Sequence, residues 1–218
     1  NLNTTVENLN YGKFDAIDIR GVASLKNQVL EGRNVRFKAN EGTYRSNFEF
    51  DGSNANNYLF SANGKLRGID IKNLFEEFDN FGQEFIQGRH VNGRTDATLD
   101  FACALDNGFI IKQETILSNI NIDVEEGELT DLEVLQEIAL YIEQDKILKP
   151  FVNTDLMAQK LKSVRFSKLS NTIEISKETI TIPRMDISSN VMDIGIKGEH
   201  HFNNQIDYGF NFRLRDAL

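Results

Sequence analysis

Asn119-Ile120-Asn121-Ile122-Asp123-Val124-Glu125 changes polarity at every step. Successive side chains on an extended strand point to opposite faces, so this stretch has one oily face and one wet face. The same period of two recurs elsewhere. Ala97, Leu99, Phe101, Cys103 and Leu105 alternate with Asp96, Thr98 and Asp100. Tyr44, Phe48 and Phe50 share one side, with Thr43, Arg45, Asn47 and Glu49 on the other. Ile206, Tyr208, Phe210, Phe212 and Leu214 alternate with Asp207, Gly209, Asn211, Arg213 and Arg215. Repeated alternation of this kind predicts an antiparallel sheet with a single buried side.

Glycines punctuate the first third: Gly12, Gly21, Gly32, Gly42, Gly52 and Gly64 recur every 9 to 12 residues. That interval suits one strand plus one turn. The pairs Asp51-Gly52, Asn63-Gly64, Asn92-Gly93 and Asn107-Gly108 are expected to form tight hairpin turns. Two prolines, Pro150 and Pro183, leave the ladders almost unobstructed.

Helical spacing interrupts the rhythm. Ile71, Leu74, Phe75 and Phe78 fit one face of a short helix near 70–80. Leu132, Leu135, Ile138, Ala139 and Ile142 fit a longer one over 131–144, with Thr130 and Glu133 expected as its capping box. A third follows Thr154, with Leu156 and Leu161 expected inward. The predicted fold is mainly β: a long, curved antiparallel sheet forming an apolar groove, partly covered by two or three short helices. A seam is expected between a Gly-punctuated meander (residues 1–68) and the longer-stranded remainder (residues 69–218).

The chain has 218 residues, with 24 Lys and Arg against 33 Asp and Glu, a net charge of −9. Hydrophobic residues make up 40%, enough to bury a core. The acidic balance argues against nucleic acid as a partner, because phosphate binding needs clustered cations. A single cysteine, Cys103, excludes an internal disulfide, and three histidines supply few metal ligands. No run of apolar residues is long enough for a spanning helix. The start at Asn1, without a signal-like segment, leads to the expectation of a fragment or a processed product.

Chemistry is hard to find. Phosphate loops, the Gly-x-Ser-x-Gly elbow and His-Glu-x-x-His are absent. His200 and His201 are neighbours, so a strand would point them to opposite faces. Cys103 lies between Phe101 and Leu105 on an oily face, where a thiol is a small hydrophobe rather than a nucleophile. Acidic groups such as Asp123, Glu125 and Glu126, or Glu76, Glu77 and Asp79, fall on wet faces and read as solvated charge. No catalytic residue, metal or cofactor is expected. What remains is the oily face. It is either a core, or the lining of a groove built from Leu99, Phe101, Ile120, Ile122, Val124, Ile194, Ile196, Tyr208, Phe210 and Phe212.

A family resemblance bears on that choice. Leu66-Arg67-Gly68-Ile69-Asp70-Ile71-Lys72-Asn73-Leu74-Phe75, then Phe78-Asp79-Asn80-Phe81-Gly82-Gln83, resembles the AsmA-like proteins of Bacteroidetes-type bacteria. So do Gly127-Glu128-Leu129 before the helix and Val164-Arg165-Phe166-Ser167-Lys168-Leu169-Ser170-Asn171. Ile180-Thr181-Ile182-Pro183-Arg184-Met185-Asp186-Ile187 and Gly198-Glu199-His200-His201-Phe202-Asn203 continue the pattern in order. Asn203 departs from it, since the family pattern has Asp there. The resemblance spans about Gly64 to Leu218. It implies kinship with TamB-type and bridge-like lipid carriers, and a periplasmic segment held to the inner membrane by an N-terminal anchor absent from this chain. The implied partners are phospholipid acyl chains, the inner membrane and envelope proteins. The implied role is phospholipid transport toward the outer membrane and outer-membrane homeostasis. A non-catalytic β scaffold that aids outer-membrane protein assembly is the alternative.

Overall fold

Short polar turns set the architecture of the computed structural model, which describes residues 2–82, 84, 86–203 and 205–214. Asn27-Gln28, Asn40-Glu41 and Lys177-Glu178 each place two successive residues at positive φ. That is the turn whose twist matches a right-handed strand pair. The strands they and longer loops connect are β1 Leu2–Tyr11, β2 Phe14–Lys26, β3 Val29–Ala39, β4 Gly42–Asp51, β5 Tyr58–Asp70 and β6 Val91–Leu105. β7 Leu117–Thr130, β8 Ser163–Ser176, β9 Thr179–Ser188, β10 Met192–His201 and β11 Ile206–Leu214 follow. Each pairs antiparallel with its sequence neighbour, giving one 11-stranded sheet in the order β1 to β11. β5 and β6 pair antiparallel from Tyr58 opposite Leu105 to Asp70 opposite Arg94, with a register shift between Leu66 and Ile69.

Two or three short helices are expected, and the described residues hold three: α1 Ile71–Glu77, α2 Glu133–Gln144 and α3 Thr154–Lys160. Details differ. Thr130 does not cap α2; it ends β7, paired with Ser163, and Asp131 and the N-cap Leu132 intervene before the helix begins at Glu133. In α3, Leu161 is buried but Leu156 is 37% exposed, and Met157 takes the inward place. Asn153 caps that helix by accepting from the Leu156 amide, which fixes the rotation.

The turn assignments also change. Asn63-Gly64 lies inside β5, and Asn92-Gly93 lies inside β6 at a register shift opposite β7. Several glycines serve close approach instead. A Cβ on Gly32 would come within 2.2 Å of the Phe48 ring, its cross-strand partner. A Cβ on Gly127 would lie 2.1 Å from the Phe166 ring, again directly opposite. Each glycine is a seat for an aromatic ring.

The sheet is neither closed nor strongly curled. Closure needs the first and last strands to pair, and β1 and β11 each have one neighbour among the described residues. The core sits on one side of β7 to β10. There α2 and α3 lay Leu135, Ile138, Ile142 and Met157 onto Val124, Val164, Phe166, Ile187, Met192 and Ile194. The burial of Leu135, Ile138, Ala139 and Ile142 follows the spacing of one helix face.

His90 is buried in the turn between α1 and β6. Burial, with the Arg89 charge beside it, holds its imidazole below the ordinary value of 6.5. Glu133 and Asp131 pull weakly the other way. The unfolded chain therefore binds a proton more readily than the folded one between those two values. Stability is complete above pH 6.5 and falls as pH drops through that window. Denaturation midpoints measured from pH 8 to 5 should show this component in the native chain and lose it in His90→Gln.

Candidate functional site

The β7 alternation continues across its neighbours because the register is in step. Leu99 faces Ile120, Ala97 faces Ile122 and Thr95 faces Val124. Ile120 faces Ile173, and Ile175 faces Ile180. Further on, Ile194 faces Phe212, Ile196 faces Phe210 and Gly198 faces Tyr208. All ten residues expected to line a groove thus share one face of the sheet. That face is the one the helices touch.

The helices divide it. All three helices leave from one end of the strands, where β5 passes to β6 and β7 passes to β8. Val124 and Ile194 lie beneath α2 and α3 at 4% and 1% exposure, inside the core. Ile122 and Ile196 are half-buried at its rim. Leu99, Phe101, Ile120, Tyr208 and Phe210 lie outside it, half-buried by their neighbours alone. Phe212, on the edge strand, is 42% exposed.

The uncovered half is an apolar band that runs across the strands at the end away from the helices. Aromatic rings form its first part. Phe48, Phe60 and Phe101 stand on β4, β5 and β6, with centroids 6.3 and 6.1 Å apart. Phe50, Tyr58 and Phe109 form a second row, at 5.5 and 5.1 Å. Phe109, Ile110 and Ile111 extend it into the loop after β6, where they are 63%, 68% and 44% exposed. Isoleucines carry the band across β7 to β9, and Tyr208, Phe210 and Phe212 end it, at 6.3 and 6.2 Å, with Phe212 climbing to the helix end of the sheet opposite Ile194. Half-buried apolar rings in an unroofed band bind by contact area, with little directional hydrogen bonding.

Phe60 and Phe109 were missed in the sequence. Phe60 stands in a segment whose alternation is blurred by Ala62 and Gly64, and Phe109 lies in a loop that has no strand period. A cross-strand pairing with Phe101 would have pointed to Phe60, but pairing is not written locally.

Reactive groups are not gathered. Cys103 is buried among the apolar residues, and burial pushes its thiol up from the ordinary value. His200 is buried on the oily face, while His201 turns away toward Thr179 at 2.8 Å. Asp123 is on the wet face, held below the usual carboxylate range by the Ser170 hydroxyl and then by Lys168. Among the described residues no three His, Cys, Asp or Glu side chains could hold a metal ion together. No helix among them is long and apolar enough to cross a membrane. Arg215, expected to point outward from β11, lies outside the described residues.

No protein-family model, curated protein or solved structure matches the chain.

Proposed function

We propose that the unroofed apolar band shields lipid acyl chains, as one section of a periplasmic AsmA-like path for phospholipids between the inner and outer membranes. The observation that carries this reading is the band itself: eight consecutive strands, β4 to β11, place apolar side chains on one face, and helices cover only the half nearest their own loops. A methylene group exposed to water costs about 0.8 kcal/mol, so a 16-carbon chain faces a barrier of roughly 12 kcal/mol in the aqueous space. With strands about 4.8 Å apart, the band extends roughly 34 Å across the sheet, longer than an extended acyl chain. Phe and Ile offer contact without fixed hydrogen bonds, so a chain can slide. No reacting group is required.

A second reading has its own observation. β1 and β11 both leave one edge unpaired among the described residues. Such edges accept a further strand, as a scaffold for envelope proteins would need.

The test is photo-crosslinking in cells with the probe placed at Phe101, Phe210 or, on the other face, Asn211. Lipid adducts at the first two positions and not at Asn211 are expected. Adducts to protein alone at all three would favour the scaffold.

A further inference from the structure

The wet face of the same sheet carries an arrangement that no acyl-chain path requires. Arg20 on β2 is directly opposite Arg36 on β3, Arg36 is opposite Arg45 on β4, and Arg45 is opposite Lys65 on β5. Four consecutive strands therefore present four cations in one file. All four are exposed, and none makes an ion pair among the described residues. Like charges directly opposite each other destabilise a strand pair. This row has three such pairs in succession, on a chain of net charge −9.

The surroundings sharpen the contrast. Lys38 and Arg67 flank the row, both opposite Thr43. Together these side chains line a shallow open hollow of about 980 Å³ whose only carboxylate is Asp18, already paired with Lys38 at 2.7 Å. Across the sheet the sign reverses. Asp96 is opposite Asp123, and Asp100 stands on the neighbouring row. Residues 1–70 hold nine Lys and Arg against eight Asp and Glu, net +1; residues 71–218 hold fifteen against twenty-five, net −10. The basic hollow is thus a local feature, on the face opposite the apolar band.

We propose that this row binds a linear acidic oligosaccharide laid across β2 to β5. Strands are about 4.8 Å apart, so the four cations span roughly 14 Å and meet a chain bearing three or four closely spaced negative charges. The spacing is below the Debye length of about 8 Å at physiological salt, so neighbouring cations reinforce one another. Thr5, Asn34 and Thr43 line the same hollow and supply hydrogen bonds of the kind sugar hydroxyls take. Single-stranded nucleic acid fits less well. Binding it uses aromatic platforms for the bases, and the rings here, Phe37 and Tyr44, belong to the aromatic cluster with Phe14 on the opposite face. A flat anionic membrane would meet the acidic half of the face at the same time and be repelled by it.

The experiment titrates the 218-residue chain with a galacturonate hexamer and a heparin hexasaccharide at low salt and at about 0.15 M salt. Maltohexaose, a single-stranded DNA oligomer and anionic phospholipid vesicles serve as comparisons. At least one acidic hexasaccharide should bind, more weakly at higher salt, while maltohexaose does not. The double variant Arg36→Gln with Arg45→Gln should lose at least about tenfold in affinity. Lys168→Gln with Arg184→Gln, the same charge change in the acidic half, should leave it unaltered. Because the first pair relieves repulsion, its melting temperature should stay level or rise, and lipid adducts at Phe101 should persist. The proposal is overturned if neither hexasaccharide binds, if both double variants weaken binding equally, or if the melting temperature of the first variant drops. DNA or vesicles bound through the row more tightly than either sugar would overturn it as well.

Discussion

Lipid capture by Phe101→Asp and by Phe210→Asp is expected to fall at least about tenfold, with the fold retained. Phe101 ends the aromatic ladder beside Phe60, where the band passes to the isoleucines of β7, and Phe210 stands near the other end of the band. Burying one such side chain against apolar matter is worth about 1.5–3 kcal/mol, and each 1.4 kcal/mol is a factor of ten in binding. A carboxylate in the band adds a desolvation cost for any acyl chain laid over it. Both positions are only half-buried, so the new charge keeps access to water and the sheet survives. Asn211→Asp, one residue along β11 and on the wet face, should change capture little. The measurement is mass spectrometry of co-purified lipid, normalised to protein, with melting temperature as the folding control. Equal losses in Phe210→Asp and Asn211→Asp would contradict the assignment of the two faces. Unchanged capture in Phe101→Asp would remove the ladder from the lipid path.

The second large effect concerns the roof. Leu135 is 1% exposed, at the centre of the cluster where α2 and α3 meet β7, β8 and β10. Leu135→Ala removes its contacts and leaves a cavity, a loss of about 2–5 kcal/mol in unfolding free energy. Leu140 and Tyr141 lie on the other side of the same helix, 56% and 69% exposed. Their alanine variants should stay within about 0.5 kcal/mol. Urea denaturation of the three variants separates these outcomes. A loosened roof would also uncover Val124 and Ile194 and lengthen the apolar band. Leu135→Ala is therefore expected to bind more of a dye specific for exposed apolar surface below its unfolding transition. Equal stability losses in Leu135→Ala and Leu140→Ala would mean that α2 is not docked by its 135, 138, 139 and 142 face.

The exposed half of the apolar face and the cationic row belong to opposite sides of one sheet. A strand alternates its side chains between two environments, so a single segment can serve both. In β4, Phe48 joins the aromatic ladder while Arg45, three residues earlier, joins the cations.

How much of this was legible beforehand follows from the range of each interaction. Alternation is local: Ile120, Ile122 and Val124 had to share a face whatever they packed against, and in the structure they do. The helical spacing of Leu135, Ile138, Ala139 and Ile142 is local too, and it fixed which side of α2 is buried. Capping and turns were less legible because they depend on competition. Thr130 could end a strand or begin a helix, and only its pairing with Ser163 decides. Asn63-Gly64 could turn the chain, but Ser46 and Asn47 on β4 hold it extended.

The sequence by itself determined that the protein is an antiparallel sheet with one oily face, because period two is a property of the extended backbone. Only the tertiary structure decided which part of that face is interior and which is open. Val124 and Phe101 carry the same local signal, on adjacent strands. Val124 is sealed because α2 and α3 fold back over the end of the sheet they leave, and helices of 12 and 7 residues are too short to reach Phe101. The register that files Arg20, Arg36, Arg45 and Lys65 together is likewise a sum of several turns and register shifts, and no single segment contains it.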